Sequence, residues 1–391
     1  MSRLVIDTEN TGAQRNRAHP FDYRNVCCCI GIRDIDTGES NVYKIEYDNE
    51  PYGEILQAVK EKLSSCSVAI LFNGKYDLHW LRRYNISIPS SCRIFDCQLA
   101  HFILQAQQAP YPSLDGVSAH YGNEAKLDVV KTEYWNNGLD TNEVPYQILE
   151  KYLEQDLTVT EQVYHSLLED LVKSTRAMRK LVSVSMQDLL VLQDIEWNGL
   201  LLNKEKSIVK GNKLVEKISG IDSWLRKIFN AEWFNPNSGD HLSVFLYGGT
   251  IELDGKETYT FTYKDGRTAD KIRNVKIPFN SKGMFKPLEK TELAKEGFYA
   301  TNEGTLVSLS KTAKGEYKKI LEIILQRAKI EKLRSTYYHG LPKKLDEFGW
   351  YDNIIHSNFN QCVAQSGRLT STKPNVQNLA NEINEIFISR F

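Results

Sequence analysis

No apolar run in the 391 residues approaches the eighteen or so that a membrane helix needs. The opening MSRLVIDTEN also places an Asp and a Glu where a signal peptide would keep its apolar core. These absences exclude a membrane role and point to the cytoplasm. Cysteine is too sparse for a disulfide framework: there are seven, an odd number, and three are consecutive at Cys27, Cys28 and Cys29, with no spacing that suits zinc. NVCCCIGI reads instead as a buried strand, because small apolar thiols suit a strand core. The eight histidines are scattered without ligand spacing. Internal repeats and low-complexity tracts are missing too, which excludes a solenoid.

What remains is an ordinary soluble globular composition, 41% hydrophobic and 25% charged, long enough for two or three domains. The net charge of −1 hides an asymmetry. Residues 1–170 hold 15 Lys+Arg against 25 Asp+Glu, whereas residues 171–391 hold 34 against 25. Acidic clusters suit divalent metals, and a basic segment suits a phosphate backbone.

The first third alternates strand and helix. RLVIDTE and NVCCCIGIRDI are short apolar runs, NVYKIEY alternates, and GEILQAVKEKLSS has helical spacing ahead of the strand-like SVAILFN. DLHWLRRY, CQLAHFILQAQ and the long segment from Val144 to Ser174 predict helices, giving an α/β domain that ends near residue 170. Helical periodicity continues from about 175 to 230, with Gly199 as a C-cap and Asn203 as the next N-cap. Between about 249 and 285 the pattern changes to strand alternation with LDGK and KDGR as turns, predicting a β insertion. A further helix and the strand-like NIIHSNFNQCVA follow.

Asp7 and Glu9 sit two apart on the first predicted strand, so both side chains leave the same face and form half of a hard-metal site. In FNGKYDLHWL, Asn73 ends a strand and Asp77 opens a helix, where a carboxylate also favours the helix dipole. Tyr152 and Asp156 stand at i and i+4 on one helical face. Asp96 in FDCQLA serves either as support for such a site or as a structural cap.

In order, D-x-E, N-x3-D and Y-x3-D resemble the DEDD superfamily of 3'-5' exonucleases, and the tyrosine is like its DEDDy branch. The resemblance implies a ribonuclease H-like fold. It also implies that Asp7, Glu9, Asp77 and Asp156 hold two divalent ions, Mg2+ or Mn2+, that Tyr152 orients the attacking water, and that Asn73 helps to position the site.

Further along, LLVLQDIEWNGLLLN, FNPNSGDHLSVFLYG and RAKIEKLRSTYYHGL resemble the thumb of family A DNA polymerases. FNQCVAQSGRLTSTKPNVQNL is similar to that family's palm entrance, with Ser366 where the family usually has Thr. The resemblance divides the chain into an exonuclease domain (1–170), a helical thumb-like region (171–340) with the insertion at about 249–285, and the beginning of a palm (341–391). DNA contacts would come from Lys332, Arg334, Arg368, Asn375, Gln377 and Asn378. The insertion is reminiscent of phage members, and no 5' nuclease domain is expected. The family's polymerase metal motifs and fingers do not follow. The expectation is therefore the proofreading half of a split, phage-like polymerase in a host cytoplasm, joined to a second subunit carrying palm and fingers. A free-standing DNA exonuclease and a non-catalytic DNA-binding scaffold remain the alternatives.

Overall fold

The computed structural model describes residues 2–12, 19–47, 51–123 and 128–390. Their contacts separate into two units, Met1–Lys204 with Leu341–Phe391, and Glu205–Gly340. Among the described residues no helix is long and apolar enough to cross a membrane.

The first unit is organised by β1 (Ser2–Asn10), whose Leu4, Val5 and Ile6 are fully or almost fully buried. It is the centre of a five-stranded sheet. On one side β2 (Cys27–Asp34) pairs antiparallel with β1, and β3 (Ser40–Lys44) pairs antiparallel with β2. All three consecutive cysteines of β2 are buried, and burial raises the Cys27 and Cys29 thiols well above their ordinary range, which keeps them protonated. Helix α1 (Gly53–Ser64) leads to β4 (Cys66–Leu71), and α2 (Gly74–Arg83) to β5 (Arg93–Asp96). Both strands continue the sheet in parallel, as right-length crossovers allow.

Helices α3 (Cys97–Leu104), α4 (Leu114–Tyr121), α5 (Val129–Glu133) and α6 (Tyr146–Lys173) follow. Along α6 the residues Leu149, Leu153, Leu157, Thr160, Val163 and Leu167 are buried at three- and four-residue steps, so one stripe faces the sheet. Gly31 of β2 makes the close approach possible. A Cβ there would lie 2.8 Å from Leu153 Cγ and 2.9 Å from Leu157 Cδ1.

The core of the first unit continues beyond residue 170. Helix α7 (Arg176–Asn198) sets Val182, Met186 and Leu189 into the same core as the sheet, because its apolar stripe is complementary to α2 and α3. It ends at Gly199 with φ +59°, as the sequence indicates, and β6 (Leu200–Leu202) follows.

The second unit is mainly helical. It is built from α8 (Lys204–Phe229), α9 (Gly239–Tyr247), the ribbon of β7 (Gly249–Thr262) and β8 (Thr268–Ser281), α10 (Glu303–Thr312) and α11 (Gly315–Lys332). Leu225, Phe234, Phe245, Leu246, Leu309, Leu321 and Ile324 form its core. Buried Arg327 ties α11 to α8 through both Asp222 oxygens, at 2.5 and 3.1 Å. The insertion is the β ribbon, with KDGR at its turn, where Gly266 has φ +84°. LDGK is not a turn: Gly255 lies inside β7 opposite Val275. A Cβ there would be 2.3 Å from Ile277 Cδ1, so this glycine marks close approach instead of reversal.

The chain then returns to the first unit through α12 (Gly340–Phe348), β9 (Ile354–Ile355), β10 (Asn358–Asn360), β11 (Thr370–Thr372) and β12 (Phe387–Ile388). β9 and β12 flank β6 in a small sheet, and β10 pairs with β11. This pairing explains why residues 341–391 belong with the exonuclease-like part instead of standing apart.

Two histidines of this unit offer a pH test. Burial pushes His101 and His356 each down to about 4. A depressed folded value means that the stability they contribute is complete above the unfolded value of about 6.5 and is lost as pH falls towards 4. Asp77 and Asp96, both raised, act in the opposite sense. A difference measurement removes their part: the decrease in melting temperature from pH 7 to pH 5 should be smaller in His101→Gln than in the parent.

Candidate active site

The two-residue period of β1 sends Asp7 and Glu9 to the face covered by α6, and the i, i+4 period of α6 presents Asp156 to them. One carboxylate oxygen from each of the three lies within 4.8 Å of the others. Glu9 and Asp156 are buried and Asp7 is half-buried. Asp77, in the first turn of α2, is outside this close trio. It accepts a 2.7 Å hydrogen bond from Thr8 Oγ1, and Thr8 Oγ1 in turn accepts one of 2.9 Å from Asn10 Nδ2. Thr8 alternates with Asp7 and Glu9 along β1, and its hydroxyl holds the Asp77 carboxylate, whose ionisation still feels the charges of Asp7 and Glu9.

Burial raises the Asp77 carboxyl well above its ordinary range, and the charge of Asp7 adds to the effect against the Thr8 hydrogen bond. Asp96 and Glu9 push the same way. Such a group of acids resists simultaneous ionisation unless cations lie among them. The donor set is all oxygen and anionic, which fits Mg2+ or Mn2+ and not a soft metal.

Tyr152 lies one turn before Asp156. Its buried ring stands T-shaped to Trp135 at 6.1 Å and packs with Cys28, Cys29, Val130 and Leu149. Asn73 is exposed, in the left-handed region at φ 60°, immediately before α2. Asp96 is a cap and a support at once. One oxygen accepts from Leu99 N–H at 2.9 Å to start α3, and the other accepts from Gly74 N–H at 2.6 Å, fixing the turn that bears Asp77.

Two sets of residues escaped the sequence reading. Thr8 is one, since nothing in D-T-E announces the partner of its hydroxyl. Replacing it by valine should lower nuclease activity about 10-fold, in line with the loss of other groups that orient metal ligands. Steady-state rates at saturating metal would check this. The other set centres on Glu196, which is 4% exposed. It accepts from Lys75 Nζ at 2.6 Å and Phe359 N–H at 2.5 Å, and its second oxygen is 2.8 Å from His79 Nε2. Lys75 also donates to Asn358 Oδ1 and to the Phe359 carbonyl. One carboxylate therefore clamps α2, α7 and β10 together. The available signal was an acid in phase with the stripe Val182, Met186, Leu189 and Gln193, which is buried along α7.

Of the expected DNA contacts, Arg368, Asn375, Gln377 and Asn378 are exposed in the first unit. Asn375 Oδ1 there accepts from Gln377 N–H at 3.1 Å. Lys332 is exposed at the end of α11, in the second unit. Arg334 is half-buried and ion-paired. Its guanidinium forms two bonds to Glu331, at 2.5 and 3.0 Å, because the two stand three residues apart on the same turn.

Residues 2–172 match the 3'-5' exonuclease family, and residues 276–390 match DNA polymerase family A. DNA polymerase I of Treponema pallidum is 25% identical over 313 residues, covering 79% of this chain and 26% of that protein. DNA polymerase I of Bacillus subtilis is 24% identical over 317 residues, covering 81% and 30%. The DNA polymerase of Bacillus phage SP01 is 22% identical over 340 residues, covering 81% and 34%. The chain thus spans about a quarter to a third of the length of these relatives. The solved POL domain of Pol1 from M. smegmatis, in complex with DNA primer-template and dNTP, has a TM-score of 0.65 at 16% identity, covering 97% of this chain and 52% of that one. That likeness concerns the fold. The carboxylate trio lies inside the exonuclease match and the palm-entrance segment inside the polymerase match, so the chain carries a 3'-5' exonuclease domain followed by part of a family A DNA polymerase domain.

Proposed function

We propose that this chain hydrolyses the terminal phosphodiester at DNA 3' ends and so serves in proofreading. The close grouping of Asp7, Glu9 and Asp156 carries the reading. With Asp77 they would hold two divalent ions, directly or through water. When bound, such ions supply hydroxide near neutral pH and stabilise the departing 3' oxygen. The side chains account for the rest. Tyr152 orients the attacking water, Thr8 fixes the Asp77 carboxylate, and Asp96 holds the backbone turn beneath it. Asn73 positions the strand end at the mouth of the cleft that it lines with Lys75, Tyr76 and Gln98.

On the polymerase side, Lys332, Arg368, Asn375, Gln377 and Asn378 would contact primer-template phosphates and groove edges, joined by Arg334 once it leaves Glu331. Nucleotide addition would need palm and finger residues from beyond these 391, on the same polypeptide or on a second subunit, in the cytoplasm of a cell or phage host. Restoring Mg2+ to chelator-treated protein tests the nuclease. Stepwise shortening of single-stranded DNA from its 3' end is expected, and internal cleavage or indifference to the metal would refute it. Adding a palm-and-fingers chain tests the other part: synthesis should appear only in the mixture, and a free-standing exonuclease would show degradation alone.

A further inference from the structure

The β7–β8 ribbon takes no part in the nuclease site, and most of it precedes the polymerase match at residue 276. Its base is anchored, since Ile251, Leu253 and Phe279 pack with Val244, Phe298 and Trp233. The distal half, beyond the Gly255–Val275 pair, contributes no residue to the hydrophobic clusters formed by the described residues. A two-stranded ribbon alone is marginal in water, so its surface residues need a reason to be there.

Tyr259 and Phe261 share one face of β7 by the two-residue period, and Tyr263 follows at the turn. A cation stands over every ring. Lys271 Nζ is 3.7 Å from the Phe261 centroid and 4.9 Å from that of Tyr263. Arg273 is 5.4 Å from the Tyr259 centroid, and Arg267 is 5.8 Å from that of Tyr263. Phe261 and Tyr263 remain 36% and 40% exposed. The other face of β7 presents the hydroxyl side chains of Thr258, Thr260 and Thr262. Arg267 and Arg273 pair with Asp265 and Glu257, but these are exposed ion pairs that a phosphate can replace at small cost. The unit as a whole carries 24 Lys+Arg against 17 Asp+Glu, so its field attracts a polyanion.

We propose that the distal ribbon is a binding arm for single-stranded DNA. Bases stack on Phe261 and Tyr263, with Tyr259 behind them, while Lys271, Arg267 and Arg273 meet the phosphates. Rings interleaved with cations favour nucleic acid over an apolar protein surface, and the partly exposed Phe261 and Tyr263 rings favour unstacked bases over duplex. The assignment is independent of the nuclease reading.

The 391-residue chain carrying Asp7→Ala would be titrated against fluorescein-labelled dT20 by anisotropy. Replacing both Phe261 and Tyr263 by alanine in that background should weaken binding at least about 30-fold, given the usual value of base–aromatic stacking for two rings. Phe261→Trp should retain it. Lys271→Ala should reduce the dependence of log affinity on log salt by about 0.7, one single-strand phosphate contact. Unchanged affinity in the double variant overturns the proposal, as would occur if the arm bound a protein. An equal loss for blunt duplex overturns the single-strand assignment. With Asp7 restored, release of nucleotides from a trinucleotide should proceed at the parental rate in the double variant. Loss of that rate would place the effect in folding and also overturn the arm.

Discussion

Asp7→Ala should reduce metal-dependent nuclease activity on the order of 10³-fold, with the protein remaining folded. The carboxylate is one of three whose oxygens converge within 4.8 Å, and the described residues contain no other group of this kind. Loss of several kcal/mol of metal-borne charge stabilisation corresponds to about three powers of ten in rate. The stability effect should have the opposite sign. Asp7 is among the charges that raise the buried Asp77 carboxyl, so without metal its removal relieves repulsion. In a chelating buffer the melting temperature of Asp7→Ala should equal or exceed that of the parent. A variant that is inactive because it is unfolded would fail this second measurement.

Gly31→Val should damage activity and stability together, from a position that carries no functional group. The new Cβ would meet Leu153 Cγ at 2.8 Å and Leu157 Cδ1 at 2.9 Å, and both leucines are fully buried. Overpacking of this kind costs about 1–3 kcal/mol. Both buried leucines lie on α6, so the strain pushes that helix away from β2. Tyr152 and Asp156 ride on that helix, and Gly31 is the register partner of Asp7, so the displacement opens the site itself. A misplacement of about 1 Å can cost on the order of 10²-fold in rate. Thermal melts and single-turnover rates should therefore fall in parallel, with Gly31→Ala intermediate. Unaltered turnover in a destabilised Gly31→Val would show that Asp156 does not depend on this contact.

Local periods explain what the sequence discloses. Asp7 and Glu9 could be paired because a strand repeats every two residues, and Tyr152 with Asp156 because a helix brings i and i+4 together. The grouping of these pairs depends on the sheet order and on Gly31, which periodicity does not encode. Asp77 shows the limit: motif order assigns it to the site, but only tertiary packing sets its carboxylate against Thr8 and outside the close trio. For α7, helical spacing identified the helix and Gly199 its end, whereas the surface it covers was decided by α2 and α3. Asp-Gly at 254–255 and 265–266 gives one turn and one strand interior, because a turn signal competes with ladder pairing on either side. The ion pair of Arg334 with Glu331 follows from their three-residue spacing on one turn, a local relation that the sequence already contains.

A metal-dependent 3' exonuclease site formed by Asp7, Glu9 and Asp156 with Asp77 is open to a simple assay. Incubation of 5'-labelled single-stranded DNA with metal-stripped protein, before and after addition of Mg2+ or Mn2+, addresses it most directly. A ladder that shortens from the 3' end is expected only after the metal is added, and none with Asp7→Ala. Equal shortening by the parent and by Asp7→Ala, or none by the parent at any concentration of either metal, would contradict it.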